Sequence, residues 1–409
     1  MKIWELTVAN FRGFEGERPF PLSEQVTVVA GVNGRGKTAF LDGVALVISR
    51  LFRALGFSSG NQRTIASTDV YGDAEDASIA MRANCAGIPL TFSVDFRPDS
   101  KNVRASKITK AVKRQILHNY GDPNRADDQA PVAIYYTTDR AGLRLPRSLP
   151  TDLPTGQPLA HNGALSNRMV DYRDFMARFR VWRAQGQAKE LQAFERALGV
   201  FLEGFTDVQV ETDPLRLTVE KQGHRLALNQ LSDGERAFIA IIGDMVRRLA
   251  LANPDLDDLL RGHGIVLIDE LELHLHPRWQ REIVQNLRET FPNIQFIGTT
   301  HSPFVIQSLQ PGELINLDPD ELGEYADRSI EDIAEHVMGV DLPQKSQRYL
   351  EMMEAAEAYY GLLSQDGVRP ADLQAAEQRL NELALPFSDD PAFQALLKFE
   401  RLARSGGHQ

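Results

Sequence analysis

The sequence predicts an α/β fold with a mixed β-sheet and flanking helices, and three observations lead to this prediction. A glycine-rich loop at residues 31–38 separates an apolar, β-like run (26–30) from a helix-like run (39–49). A second apolar run, 264–268, ends in two acids, and a third, 294–299, leads into a polar turn. Strand–loop–helix units of this kind build a sheet covered by helices.

The glycine-rich loop reads G-V-N-G-R-G-K-T, which fits the phosphate-binding P-loop pattern G-x-x-x-x-G-K-[ST]. Glycines let backbone N–H groups curve around phosphates at the positive end of a helix dipole. Lys37 is expected to reach the β- and γ-phosphates, and Thr38 is expected to ligate Mg²⁺. A chance match is the alternative, but the flanking strand and helix favour nucleotide binding. The residues expected to hold the nucleotide here are Asn33, Gly34, Arg35, Gly36, Lys37 and Thr38.

Composition narrows the class of protein. The chain has 409 residues, of which 43% are hydrophobic, so it can hold two or three domains around substantial cores. No run reaches the roughly 18 apolar residues of a membrane span, so no membrane partner is expected. The N-terminus reads as a strand rather than a signal peptide. A single cysteine, Cys85, excludes an intramolecular disulfide framework, and a cytoplasmic location fits these features.

The net charge of −11 is unevenly distributed. Residues 101–190 contain 16 lysines and arginines against 8 acids, whereas residues 310–409 contain 8 against 20. Such asymmetry indicates different surfaces for different partners. The basic part is either a solvated helix face or a surface that contacts a nucleic-acid backbone. Its densest stretch comprises Lys101, Arg104, Lys107, Lys110, Lys113 and Arg114.

Two acids, Asp269 and Glu270, follow the second apolar run. Together they have the pattern of a Walker B element, in which Asp269 holds Mg²⁺ through its water shell. Glu270 is then expected to polarise the attacking water as general base. The pattern is weak alone, because an ordinary strand end looks the same. The P-loop upstream favours the catalytic interpretation.

A signature-like segment precedes the long helical pattern at 236–252. It reads S-D-G-E at residues 232–235, and Ser232 is a good helix N-cap. The segment resembles the signature motif of ABC-type ATPases, in the version found in RecF, SMC and related proteins. This resemblance implies an ATP-bridged homodimer with two composite sites. In it, Ser232, Gly234 and Glu235 of one copy would cap the γ-phosphate held by the other.

Two further segments resemble parts of the same superfamily. The third apolar run ends at T-T-H-S-P and resembles the ABC switch strand, which implies that His301 senses the γ-phosphate. Residues 10–14, N-F-R-G-F, resemble a segment whose arginine approaches the nucleotide, here Arg12. Phe11 and Phe14 are either core residues or flank the adenine. The superfamily has a glutamine, that of the Q-loop, in a turn after the P-loop helix, but no glutamine occupies that turn here. Either Asp69 substitutes for it, or Gln62 is the same residue in a displaced position.

The motifs and their connecting residues, above all 268–280 and 291–303, resemble one family throughout. The chain looks like a stand-alone, RecF-like bacterial ATPase of the PtuA family, which is linked to Septu and retron anti-phage systems. The resemblance implies an ABC-type ATPase head that uses ATP and Mg²⁺ and acts as a switch. It also implies three kinds of partner: a second copy of the chain, a separate PtuB-like HNH nuclease, and DNA or retron RNA/DNA as an open possibility.

Alternatives to this function remain. A RecF- or SMC-like DNA-repair or maintenance ATPase would bind DNA directly through the basic segment. A transporter subunit is disfavoured by the S-D-G-E signature and the N-F-R-G-F segment. A built-in nuclease is not expected, because the acids Asp318 and Asp320 lie in a turn-like stretch with no strand before it and too little chain behind it.

The chain is expected to fall into four parts. An ATPase head would comprise 1–98 and 195–320, interrupted by an insertion or lid at 99–194 that includes a strand at 131–136 and a helix at 171–185. Residues 321–409 would form a helical, partner-docking tail. Its three expected helices span 344–363, 371–383 and 391–403, and the first carries an apolar stripe of tyrosine and methionine. That stripe either packs within the tail or docks a partner.

Overall fold

The structure is a computed structural model with side chains. It describes residues 1–58, 63–99, 102–120, 130–141, 146–150, 152–166, 170, 172–186, 188–318, 325, 328–340, 346–363, 365 and 368–387. The chain divides into two compact units, Met1–Gly339 and Val340–Gln409.

A parallel sheet of five strands carries the predicted motifs. From one edge to the other, its strands are β13 (Leu314–Asn316), β3 (Val26–Ala30), β12 (Ile294–Thr299), β11 (Gly264–Ile268) and β7 (Val132–Tyr136). Every residue of β3, β11, β12 and β7 is buried, which explains why these strands read as continuous apolar runs. Since the strands are parallel, the segments that follow β3, β11 and β12 lie at one edge of the sheet.

A second, antiparallel sheet covers the helix that follows the P-loop. Its strands in spatial order are β2 (Phe14–Pro21), β1 (Lys2–Phe11), β4 (Ala77–Cys85), β5 (Ile88–Arg97) and β6 (Asn102–Ala105). Helix α1 (Lys37–Leu55) contacts β12 of the parallel sheet and also β1, β4 and β5. Because it packs against both sheets, α1 is apolar around most of its circumference, and most of its residues are buried.

A small third sheet and the remaining helices complete the first unit. The sheet has the order β10 (His224–Ala227), β9 (Leu215–Lys221) and β8 (Phe205–Thr212). The other helices of this unit are α2 (Lys110–Tyr120), α3 (Tyr172–Gln185), α4 (Ala188–Phe201), α5 (Asp233–Ala252), α6 (Pro277–Thr290), α7 (Pro303–Gln307) and α8 (Ile330–His336). Helix α5 contacts β7, α3 and α4.

Buried polar groups join these layers. Gln295 of β12 is fully buried, and its side-chain amide accepts a hydrogen bond from Ile3 N (2.7 Å) and donates one to Ile3 O (2.8 Å). It therefore ties the parallel sheet to β1. On α5, buried Asp244 accepts hydrogen bonds from Arg247, Arg248 (2.7 Å) and the hydroxyl of Tyr136 (3.0 Å). Burial alone would raise the pKa of Asp244, but the two arginines lower it.

The second unit contains α9 (Gln347–Leu363) and α10 (Pro370–Ala384) among its described residues. Met352, Tyr359 and Tyr360 of α9 pack with Leu380 of α10 in a separate apolar cluster. The predicted stripe is thus used for packing within this unit. The third predicted tail helix, 391–403, lies outside the described residues.

The predicted fold class is confirmed: strands and helices alternate around a P-loop sheet, although the parallel and antiparallel strands form separate sheets. The predicted strand at 131–136 and the helix at 171–185 are present. The region expected as an insertion nevertheless contributes β7 to the parallel sheet, directly beside β11. Over the described residues, no helix is both long and apolar enough to cross a membrane.

Candidate nucleotide-binding site

The P-loop turns between β3 and α1 with the backbone that phosphate binding needs. Gly34 and Gly36 have φ values of +85° and +100°, a region in which glycine is strongly favoured. Gly36 occupies the N-cap of α1 and no side chain caps this helix, so its first N–H groups are left for an anion. Asn33, Gly34 and Arg35 are exposed. The loop therefore presents donors toward solvent at a helix N-terminus.

Lys37 folds back over its own loop. Its ammonium donates to Gly31 O (2.7 Å) and Val32 O (3.0 Å). Burial lowers the pKa of Lys37, and nearby carboxylates oppose this effect, led by Asp318 and followed by the acids after β11. The lysine is thus placed among negative charges at the mouth of the loop.

Thr38 meets the two acids after β11 through a chain of hydrogen bonds. The Thr38 hydroxyl donates to Asp269 Oδ2 (3.1 Å), and the Thr299 hydroxyl donates to Asp269 Oδ1 (2.6 Å). Neighbouring oxygens around an octahedral Mg²⁺ with bonds of about 2.1 Å lie about 3 Å apart. The Thr38 hydroxyl and the Asp269 carboxylate thus lie together and are both oxygen groups of the kind Mg²⁺ prefers, so Thr38 would ligate the ion and Asp269 would hold its water shell.

Glu270 is held in a conformation that few non-glycine residues adopt, with φ at +50°. Its N–H donates to Thr299 Oγ1 (2.7 Å), and its carbonyl accepts from Arg140 Nη2 (2.5 Å). Arg140 also donates to Asp269 O. Burial lowers the pKa of Arg140 to about 10, against the raising effect of the surrounding carboxylates. The backbone of the Walker B acids is therefore clamped from two sides, which sets the direction of the Glu270 side chain.

Glu272 fixes the switch segment after β12. Its carboxylate accepts from the Thr300 hydroxyl (2.6 Å) and from His301 N (2.5 Å). Burial and then Lys37 lower the pKa of His301, while Glu272, Glu270 and Asp269 raise it. His301 is therefore close enough to Lys37 and the Walker B acids for their charges to act on it.

The hydrogen bonds of the signature segment lie at the start of α5 and include a contact with Lys221. Ser232 and Glu235 form a capping box at the start of α5: Ser232 N donates to Glu235 Oε2 (2.9 Å), and Glu235 N approaches Ser232 Oγ at 3.4 Å. Lys221 pairs with Glu235 Oε1 at 2.7 Å. Both oxygens of Glu235 are thus engaged, and this residue, expected to bind nucleotide, supports the helix start. Ser232 itself is exposed.

Gly234 lies against the segment that follows the Walker B acids. A Cβ atom on Gly234 would collide with the carbonyl oxygen of His274 and would lie 3.6 Å from the ring of Trp279. His274 has φ +64°, and His276 Nδ1 caps α6 through Arg278 N (3.3 Å). A glycine is therefore required at 234 so that the signature and this segment can touch.

Arg12 is engaged within the chain. Its guanidinium donates to Asp69 Oδ1 (2.8 Å) and to Asp42 Oδ2 (2.5 Å) of α1. Asp69 thereby has a partner of its own, and Gln62 lies outside the described residues. Phe11 and Phe14 are both buried, and a Cβ on Gly36 would lie 3.2 Å from Phe14. Both phenylalanines are therefore core residues, and Phe14 packs against the P-loop.

The structure thus brings together five residues of the predicted site, namely Lys37, Thr38, Asp269, Glu270 and His301. It places Gly234 beside the segment after Walker B, Ser232 at the start of α5 and Arg12 beside α1. Sequence reasoning missed Arg140 and Glu272. Glu272 lies two residues after the Walker B glutamate, which was a usable signal, whereas Arg140 follows an apolar run in a region expected to be an insertion.

The fold and this site define the chain as a P-loop ATPase. A family model described as "AAA domain, putative AbiEii toxin, Type IV TA system" matches residues 26–307, and the chain belongs to that family. The resemblance to PtuA-type ATPases is confirmed by the names of its relatives.

Three relatives illustrate the similarity. "Retron Ec83 probable ATPase" of Escherichia coli is 27% identical over 384 residues, covering 76% of this chain and 70% of the relative. "Septu protein PtuA" of Bacillus thuringiensis is 22% identical over 380 residues, covering 87% and 88%. "Retron Vc95 probable ATPase" of Vibrio cholerae serotype O1 biovar El Tor is 44% identical over 122 residues, covering 30% and 24%. Among solved structures, the "SMC head domain from Thermotoga maritima" is 14% identical, covers 77% of this chain and 94% of that chain, and has a TM-score of 0.44.

Replacing Glu272 by alanine is expected to lower ATP turnover roughly tenfold to hundredfold, because the switch segment loses the two hydrogen bonds that hold it. Nucleotide affinity should change little, since Lys37 and Thr38 keep their contacts. Steady-state hydrolysis and calorimetric ATP titration measure the two effects. Glu282→Ala, an exposed acid on α6, is the matched control. Wild-type turnover in Glu272→Ala would contradict the role given to Glu272.

Proposed function

We propose that two copies of this chain close around ATP and Mg²⁺ and that hydrolysis changes the shape they present to a separate effector nuclease. The effector is of the HNH type, and the role is anti-phage defence in the cytoplasm. The names of the relatives, retron ATPases and Septu protein PtuA, support the defence context.

The residues divide the chemistry between them. The P-loop amides and Lys37 bind the phosphates, and Thr38 and Asp269 hold Mg²⁺, which neutralises phosphate charge when bound. Glu270 takes a proton from the attacking water as general base, directed by the contacts of its backbone with Thr299 and Arg140. His301, whose backbone N–H is bound by Glu272, would donate to the γ-phosphate.

One observation carries the proposal of a dimer. The P-loop residues at 33–35 and Ser232 are exposed, and the Ser232 hydroxyl accepts a long contact from Glu235 N (3.4 Å). Both halves of a composite site are therefore accessible to a second copy. The Ser232 hydroxyl engages one N–H group of this helix start, that of Glu235, and the positive end of the helix dipole suits a γ-phosphate.

A mixing experiment tests the shared site. Lys37→Ala removes phosphate binding, whereas Ser232→Asp keeps a good N-cap but places a negative charge against the γ-phosphate. Each variant alone should be inactive. An equimolar mixture should regain about a quarter of wild-type ATPase activity, because half of the dimers are mixed and each has one intact site of two. ATP hydrolysis by the mixture measures this.

Lys37→Ala mixed with Glu270→Gln is the matched control. Both residues belong to the same half of a composite site, so this mixture should stay inactive. Glu270→Gln alone should bind ATP and accumulate as a dimer in size-exclusion chromatography with light scattering. If the Lys37 and Ser232 variants fold but never complement one another, the shared site is wrong.

We place the effector contact on the second unit. The apolar face of α9 is occupied by packing with α10, and exposed acids remain on the other side of α9. Glu351, Glu354 and Glu357 follow one another at helical spacing and are all exposed. A partner with a basic surface would be attracted to this acidic face.

Reversing the charge of Glu351, Glu354 and Glu357 to lysine is expected to abolish co-purification of an HNH protein encoded beside this chain, at native expression. The physical reason is that the lysines would repel the basic partner surface that the glutamates attract. ATP hydrolysis should persist. Reversal of Glu331 and Glu335, exposed acids on α8 of the first unit, is the control for added positive charge. Unchanged co-purification would show that the effector does not bind this acidic face.

Direct DNA binding is the second candidate function, and the exposure of a basic group favours it. Arg104, Lys107, Lys110 and Arg114 are exposed around the start of α2. Lys113 is different, since its ammonium donates to Ala54 O at the end of α1 (2.7 Å). One of the three donors of Lys113 is thus used within the chain, so the four exposed residues are the better candidates for contact with a phosphate backbone.

Replacing Lys107 and Lys110 by glutamine is expected to weaken DNA binding and to flatten its dependence on salt by up to about two units of the log–log slope. Fluorescence anisotropy with duplex DNA at several salt concentrations measures both. The control replaces Arg348 and Arg379, which are exposed in the second unit. A slope equal to that of the wild type would exclude these lysines from DNA contact.

A further inference from the structure

An acid from the far edge of the parallel sheet contacts the P-loop. Strand β13 pairs in parallel with β3, so that Asn316 lies beside Ala30. The pairing continues past both strands, because Leu317 N donates to Ala30 O (2.9 Å). This pairing therefore places Asp318 next to the P-loop.

The carboxylate of Asp318 binds the first half of the loop. Its Oδ2 accepts from Val32 N (2.6 Å), and its Oδ1 pairs with Arg35. A Cβ atom at Gly31, where φ is +145°, would lie 2.9 Å from Asp318 Oδ2. The approach of the carboxylate therefore depends on glycine at position 31.

The Gly31–Val32 peptide is held from both sides. In a trans peptide the C=O and N–H groups point in opposite directions. The Val32 N–H is bound by Asp318, and the carbonyl of Gly31 accepts from Lys37 Nζ (2.7 Å). One peptide group thus connects the Asp318 carboxylate to the Lys37 ammonium. Charges at the two ends of such a hydrogen-bonded chain polarise it cooperatively.

The consequence concerns the direction of the lysine ammonium. An ammonium has three donors. Two of those of Lys37 are used by the carbonyls of Gly31 and Val32, which leaves one for a ligand. A peptide free to rotate would let the ammonium turn away from the phosphate position.

We propose that Asp318 is a positioning residue of the nucleotide site, which orients Lys37 through the Gly31–Val32 peptide. The inference rests on the proposed binding of ATP by this P-loop. The contacts of Asp318 are with Val32 N and Arg35 rather than with Thr38 or Asp269, and it acts on Lys37 through the loop backbone.

The test compares Asp318→Ala with Asp318→Asn in the full chain, with ATP and Mg²⁺ as the ligands. Loss of a hydrogen bond to a charged group should raise KM and the calorimetric Kd for ATP roughly tenfold in Asp318→Ala. Turnover at saturation should stay within about twofold, because Thr38, Asp269 and Glu270 are untouched. Asp318→Asn keeps an oxygen acceptor for the Val32 N–H, so it should recover part of the lost affinity.

Glu335→Gln removes the same charge from exposed surface and should leave KM and kcat unchanged. Wild-type KM in Asp318→Ala would overturn the inference. A lower kcat with unchanged KM, without recovery in Asp318→Asn, would also overturn the inference, because a partly unfolded population gives that result. If the wild-type chain itself does not bind ATP, the proposed function fails first, and this outcome is distinguished by the wild-type titration alone.

Discussion

The hydrogen-bonded chain from Thr38 through Asp269 to Thr299 is the interaction on which the rest of the site depends. It joins the N-terminus of the helix after β3 to the ends of β11 and β12, and the carboxyl ends of these three strands share one edge of the parallel sheet. A single carboxylate can serve all three because β12 lies between the other two strands. Next to this chain, Arg140 holds the backbone of Glu270, and Glu272 holds the backbone of His301.

The charges around this point also form a consistent arrangement. Lys37 lies near four carboxylates, those of Asp318 and of the three acids between 269 and 272, and Arg140 lies near the latter three. Burial lowers the pKa of both cations, and the acids offset that effect. A site with more acids than bases suits a divalent cation that arrives with a nucleotide.

Sequence reasoning predicted most elements near the site, because their signals are local. The buried strands read as apolar runs bounded by glycine or acids, and Ser232 with Glu235 has the spacing of a capping box. It misplaced β7 as part of an insertion, because no local signal tells which neighbour an apolar strand pairs with. It also assigned Glu235 to nucleotide, although Lys221 and the helix start engage both its oxygens.

By itself, the sequence determined the fold class, the P-loop and the Walker B acids, since residue type and spacing along the chain specify them. The tertiary structure alone placed Arg140, Glu272 and Asp318 in contact with this site. Asp318 lies 286 residues from the backbone amide that it binds, and Arg140 lies 130 residues from the carbonyl of Glu270. The physical reason is that their function depends on which strands are adjacent, and strand adjacency is a property of the whole packed sheet.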